Sequence, residues 1–149
     1  MSNEFTTDRR GFLKTVAVAT AAAETGLAAG VPRALGGKIK VGHIGCGNVA
    51  KGNYVPDMAA CPYIELVSTC DIIAARADYI GKKYNIPHVY YNIDTMLAGA
   101  PFDLLVNTTA MPAHFEINLQ ALEAGRNVWG EKPCALRVSE YKKLLELLK

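Results

Sequence analysis

The sequence predicts an α/β domain built on a doubly wound parallel sheet, with its strands in the order 3-2-1-4-5. Three observations lead there. Five short apolar runs alternate with segments of helical period. The fourth run has a continuous Leu-Leu-Val centre, as a strand buried on both faces requires. The first run opens directly into a glycine-rich loop that is followed by a helical segment.

The elements follow in chain order. Ile39–Ile44 reads as the first strand, broken by Gly45-Cys46-Gly47. Asn48–Ala60 suits a helix that Pro56 is expected to shorten or kink. Ile64–Cys70 is a second strand, ending at Asp71. Ile73–Tyr84 is helical, with Ala75, Tyr79 and Ile80 expected on the inward face. Pro87 marks a boundary before a short strand over His88–Tyr91, and Ile93–Ala98 is a small helix ended by Gly99 and Pro101.

Asp103–Thr108 is a strand with a Leu-Leu-Val centre. Pro112–Ala124 reads as a helix with Phe115, Leu119 and Leu122 inward and Gly125 as its stop. Asn127–Gly130 is the fifth strand, and Val138–Leu148 is a last helix expected to pack through Leu144, Leu145 and Leu148.

Composition bounds the rest. With 149 residues, half of them hydrophobic, the chain is long enough for one ordinary domain and its core. A formal charge of +2, from 16 Lys and Arg against 14 Asp and Glu, carries no basic signature, so no nucleic-acid partner is expected. Residues 1–30 stand apart. Arg9-Arg10-Gly11-Phe12-Leu13-Lys14 precedes an alanine-rich, weakly apolar stretch with small residues at Ala28 and Gly30.

That pattern describes a secretory signal cleaved before Val31, and the paired arginines resemble a twin-arginine export signal. Asp8 stands where Ser or Thr is usual, and Glu24 interrupts the apolar stretch; an amphipathic helix is the other reading. No run reaches the roughly 18–20 apolar residues of a membrane span, so stable insertion is not expected. The expected organisation is a signal over 1–30, a linker over 31–37 and a folded domain over 38–149. The protein is then exported to a bacterial periplasm through the twin-arginine machinery.

Cys46, Cys61, Cys70 and Cys134 form no C-x-x-C pair and fit no zinc spacing, so no metal is assigned. Cys46 and Cys70 read as buried free thiols. His43 reads as a packed core or strand-end residue and His88 as a surface one. Lys82-Lys83 and Lys142-Lys143 read as solvated faces, and Trp129 fits either a crevice or a packing role.

Gly45-Cys46-Gly47-Asn48-Val49-Ala50 matches G-x-G-x-x-G/A between a strand and a helix. Gly45 allows the tight turn, Gly47 lets a pyrophosphate approach the backbone, and Ala50 permits close packing of helix on strand. The free amides near Asn48 and Val49 would face the phosphates. Asp71, at the end of the second strand, is placed to accept ribose hydroxyls. Its charge favours NAD over NADP, because a carboxylate repels a 2′-phosphate. Arg76, one helical turn on, is within reach of such a phosphate and keeps NADP open.

A second cluster closes the fourth and fifth strands. Asn107-Thr108-Thr109, His114 and Glu131-Lys132-Pro133 should converge on the ligand crevice that lies outside the strand ends. With Ala121-Leu122-Glu123-Ala124-Gly125 and Val128, these residues resemble the Gfo/Idh/MocA oxidoreductases, over 38–149. The resemblance implies pyridine-nucleotide-dependent oxidation or reduction of sugars, cyclitols or related polyols.

It implies that Lys132 is the catalytic lysine, contacting substrate and the nicotinamide ribose and assisting proton transfer. Glu131 then faces that ribose, Pro133 shapes the turn, and His114 with Thr108 and Thr109 lies at the cofactor crevice. Ala110 replaces a proline that the family often has, and Pro112 follows two positions later. Family members carry a second, open-sheet domain that supplies substrate contacts and oligomerises. The resemblance therefore presents this chain as the amino-terminal half of an exported NAD(P)-dependent oxidoreductase lacking its substrate domain. A stand-alone nucleotide-binding module and a gene fragment without function remain the alternatives.

Overall fold

The computed structural model describes residues 37–148. The expected signal over 1–30, and the linker up to residue 36, lie outside the described residues. Five parallel strands stand in the order β3-β2-β1-β4-β5, as the sequence predicts. β1 (Ile39–Ile44) is central, between β2 (Ile64–Cys70) and β4 (Leu104–Asn107). β3 (His88–Tyr90) and β5 (Asn127–Gly130) form the edges.

The register matters most for the site. Ile44 pairs with Cys70 on one side and Asn107 on the other, Cys70 pairs with Tyr90, and Asn107 pairs with Gly130. All five strands therefore end in one row, and the loops that leave them share one edge of the sheet.

Alternation along the strands divides the core into two layers. Val41 and Val106 face one side, where they pack with Ala50, Val55, Ala77 and Ile80. Ile44 and Leu105 face the other, against Met96, Phe102 and Ala121.

The first helical segment opens as a π-helical turn, Ala50–Tyr54, and continues as α1 (Val55–Ala60). The amide of Val55 donates to the carbonyl of Ala50, five residues back. Pro56 neither shortens nor ends the helix. It occupies the first turn of α1, and the irregularity falls just ahead of it as a wide turn. α2 (Ala74–Tyr84) buries Ala77, Ile80 and Gly81 instead of Ala75 and Tyr79. Tyr79 is half-exposed, with the ammonium groups of Lys51 and Lys83 at 5.2 and 5.6 Å from its ring centre.

α3 (Ile93–Ala98) is capped by Asn92, whose Oδ1 accepts the Thr95 amide at 2.8 Å. A 3₁₀ turn, Met111–Ala113, leads into α4 (His114–Glu123). α4 ends as predicted at Gly125, with φ of 71°; the Arg126 amide donates to Ala121 and the Gly125 amide to Leu122. Its inward face differs from expectation. His114, Asn118, Leu119 and Ala121 are buried, while Phe115 and Leu122 are only partly so.

α5 (Val138–Glu146) is shorter than predicted and buries only Leu144. Leu145 and Leu148, expected to pack, are 43% and 65% exposed. Among the described residues no helix is long and apolar enough to cross a membrane.

Candidate functional site

A cleft of about 470 Å³ lies against the row of strand ends. The glycine loop forms one wall through Gly45, Gly47, Asn48 and Val49, and Asp71 stands at its base. Thr108 and Thr109 line it beside Gly45, whose carbonyl accepts the Thr108 hydroxyl, and Arg76 lines it as well. Seven of the predicted site residues thus meet in one cavity. Ala50, His114, Glu131 and Lys132 do not line it.

The loop is built for close approach. Gly45 has φ of +94°, and a Cβ there would lie 2.5 Å from the Thr109 amide nitrogen. Around Gly47, by contrast, a Cβ would meet nothing within 4 Å. Ala50 is fully buried beneath the loop, where a larger side chain would push helix from sheet. The first helical amides, from Asn48 onward, have no carbonyl in their own helix to bond, and Asn48 and Val49 line the cleft.

Asp71 fastens this wall. Its Oδ2 accepts the Cys46 amide at 2.7 Å and its Oδ1 accepts the Ile73 amide at 2.8 Å, while the residue is 8% exposed. Behind it lies a buried polar chain. His43 Nε2 is 2.9 Å from Thr108 Oγ1, which donates to the Gly45 carbonyl at 2.7 Å. Since Thr108 spends its proton on that carbonyl, it accepts from His43, which fixes the Nε2–H tautomer. Burial pushes the His43 pKa down to about 4, against the weaker pull of the Asp71 charge. His43 is therefore a neutral core residue, as the sequence predicts.

The second cluster sits beside the cleft. The Glu131 amide donates to the Asn107 carbonyl at 3.0 Å, which extends the pairing of β5 with β4 into the turn. The Glu131 carboxylate accepts the Tyr54 hydroxyl and, at 3.1 Å, the Lys132 amide. These bonds, led by that of Tyr54, hold its pKa below the usual carboxylate value. Lys132 is exposed, and its peptide bond to Pro133 is cis.

His114 is 2% exposed; its Nδ1 is 2.8 Å from the Pro133 carbonyl and its Nε2 is 2.8 Å from the Thr109 carbonyl. Trp129 is 48% exposed and stands edge-on to Tyr54, with ring centres 4.9 Å apart.

Two further residues of this cluster belong to no sequence motif. Tyr54 carried no signal, since its partner lies 77 positions away. Asn118 did carry one: it is polar at i+4 from His114, where an inward helix face should be apolar. Asn107 ends β4, and its Oδ1 accepts the Thr109 amide and hydroxyl at 3.1 and 2.7 Å.

The cavity suits an elongated, phosphate-bearing ligand: open backbone above Gly47, helix-start amides beside it, and a carboxylate at the far end of the second strand. Comparison with known proteins supports that fit. Residues 39–149 match the model of a family described as an oxidoreductase family with an NAD-binding Rossmann fold. The chain belongs to the Gfo/Idh/MocA oxidoreductase family. Among curated members, an inositol 2-dehydrogenase of Salmonella typhimurium is 27% identical over 109 residues, 72% of this chain and 32% of the relative.

A D-glucoside 3-dehydrogenase of Escherichia coli is 29% identical over 108 residues, 72% of this chain and 31% of the relative. Among solved structures, the WlbA dehydrogenase of Bordetella pertussis, in complex with NADH and UDP-GlcNAcA, superposes with a TM-score of 0.69 at 29% identity. That match covers 74% of this chain and 34% of WlbA. The chain thus spans about a third of the length of these Gfo/Idh/MocA relatives.

Proposed function

We propose that this chain is the dinucleotide-binding part of an exported oxidoreductase acting on a sugar, cyclitol or related polyol, with NAD preferred over NADP. The observation that carries the reading is the Asp71 carboxylate, bonded to the Cys46 amide inside the same cleft that Gly47 leaves open. Gly45, Gly47, Asn48 and Val49 would hold the pyrophosphate through backbone amides, with Ala50 keeping the helix close. Asp71 would receive ribose hydroxyls on its remaining lone pairs, and its charge disfavours a 2′-phosphate. Thr108 and Thr109 would flank the ligand beside Gly45, and His114 acts through the carbonyls next to its ring.

The nicotinamide, when bound, supplies hydride transfer. Lys132 then handles the substrate hydroxyl proton, and Glu131 faces the nicotinamide ribose. The names of the inositol and glucoside dehydrogenases support the substrate class. Homo-oligomerisation is assigned to a second domain, where one is present. The Arg9-Arg10 segment supports export; replacing both with lysine should retain the protein in the cytoplasm in a fractionation assay.

Titration with NADH and NADPH, followed through the single Trp129, tests the cofactor reading. NADH should bind more tightly. Tighter NADPH binding would overturn the preference, and binding of neither would overturn the dinucleotide site.

A further inference from the structure

The cleft wall and the Glu131–Cys134 turn are joined by two parallel hydrogen-bonded relays, both routed through the inward face of α4. In the first, the amide and hydroxyl of Thr109 donate to Asn107 Oδ1, Asn107 Nδ2 donates to Asn118 Oδ1 at 2.8 Å, and Asn118 Nδ2 donates to the Cys134 carbonyl at 3.4 Å. In the second, the His114 ring stands between the Thr109 and Pro133 carbonyls, at 2.8 Å from each; a ring with one N–H donates to one of them at a time, and both bonds together require both nitrogens protonated. Both relays begin at a residue that lines the cleft and end on the turn that carries Lys132.

Ordinary packing does not require this arrangement. His114 and Asn118 lie one turn apart on a face where apolar side chains would fill the space as well. Both are buried, at 2% and 4% exposure, so burying their polar groups is unfavourable unless each is bonded. Gly130 keeps the turn close, since a Cβ there would lie 3.3 Å from Asn118 Oδ1.

We propose that His114 and Asn118 are positioning residues for Lys132, holding its turn and the Thr109 wall of the cofactor cleft in a single frame. The inference rests on the assignment of Lys132 above. It makes α4 the element through which an occupied cleft and the proton-handling lysine are kept in register. Neither residue contacts the ligand. Each acts through backbone carbonyls at Thr109, Pro133 and Cys134.

The test is amide hydrogen exchange, resolved by residue, on the whole chain with and without NADH. In the unaltered protein NADH should slow exchange at Glu131, whose amide donates to the Asn107 carbonyl, as well as at Thr109. In Asn118→Ala, exchange at Glu131 should rise about tenfold without ligand, with the strand amides unchanged. The slowing by NADH should then be lost at the turn and kept at Thr109.

Two further variants separate positioning from space-filling. The Asn side-chain amide nitrogen falls where His Nδ1 lies, and that of Gln where Nε2 lies. His114→Asn should therefore keep the turn protected without ligand but lose its response to NADH. His114→Gln should lose turn protection outright. Identical behaviour of the two, or an unchanged turn in Asn118→Ala, overturns the inference. Failure of NADH to bind the unaltered protein would instead overturn the cofactor reading. The ligand-free exchange in Asn118→Ala and His114→Gln would still decide whether the turn is held as described.

Discussion

The Cys46 amide donates to Asp71 Oδ2 at 2.7 Å, so the carboxylate expected to recognise a ribose also anchors the glycine loop. Ile73 occupies the second oxygen at 2.8 Å, and this fastens the loop to the start of α2 as well. Asp71→Asn replaces one acceptor with an NH₂ group that faces a backbone donor. The variant should lose about 1–3 kcal/mol of stability in chemical denaturation and bind NADH at least about tenfold more weakly. Full stability with weakened binding would show that Asp71 recognises ligand without holding the loop.

The two loop glycines should separate folding from binding. Gly45 is confined by its φ of +94° and by the Thr109 amide 2.5 Å from where a Cβ would sit. Gly45→Ala should therefore destabilise the fold by about 2–4 kcal/mol. Gly47 has no heavy atom within 4 Å of that point, so Gly47→Ala should leave the melting temperature nearly unchanged. It places a methyl group where a phosphate would approach the amides, and NADH affinity should fall about tenfold or more. Equal effects of the two substitutions on stability would contradict this division.

His43 makes the fold acid-sensitive. Its pKa is lowered by burial from 6.5 to about 4. Between these values the unfolded chain takes up a proton that the folded protein refuses, so stability falls as pH falls from 6.5 to 4. The loss approaches about 3 kcal/mol, complete near pH 4 and absent above pH 6.5. Denaturation midpoints across that range check it. In His43→Asn the slope should be shallower by about one proton, whatever the absolute stability of the variant.

Strands were the most legible part of the chain. Ile64–Cys70 and Asn127–Gly130 stand as read, because turn residues such as Pro62, Asp71, Gly125 and Pro133 bound these short segments and leave little choice of ends. Helix phase was harder. Ala77 and Gly81 face inward on α2 because only small residues fit there; a Cβ on Gly81 would lie 2.6 Å from Val89 Cγ2. Tyr79, the larger and seemingly better core residue, stays at the surface under two lysines. On α4 the inward His114 and Asn118 follow from carbonyls at Pro133 and Cys134, acceptors that no local pattern reveals. The glycine loop and Asp71 were legible because motif and spacing are local, whereas the Tyr54 contact with Glu131 exists only in the fold.

The thiols should divide into two classes. Burial pushes Cys46 up to about 11 and Cys70 up to about 12. At pH 8 about one in a thousand such groups, or fewer, is the reactive thiolate. Cys61 and Cys134 are only half-buried. Iodoacetamide at pH 8 should therefore modify Cys61 and Cys134 in the native protein and all four cysteines after denaturation, read by intact mass. Rapid native modification of Cys46 or Cys70 would contradict their burial under the glycine loop.

Tyr54 and Glu131 offer the sharpest check on the second cluster. The Tyr54 hydroxyl is the main cause of the lowered Glu131 pKa, and the carboxylate in turn raises the pKa of Tyr54. Because the folded value of Glu131 is lowered, its ionised form stabilises the fold at neutral pH. That contribution disappears as pH falls through the lowered value. Tyr54→Phe removes the donor and keeps a ring to pack edge-on against Trp129.

Glu131 should then titrate at higher pH, followed by carboxyl-carbon NMR, and the acid-side loss of stability should be shallower because less remains to be lost. The Lys132 amide bond to Glu131 persists in the variant, so the shift should be partial. A Glu131 titration unchanged by Tyr54→Phe would mean that the π-helical turn does not deliver its tyrosine to the Glu131–Lys132 turn.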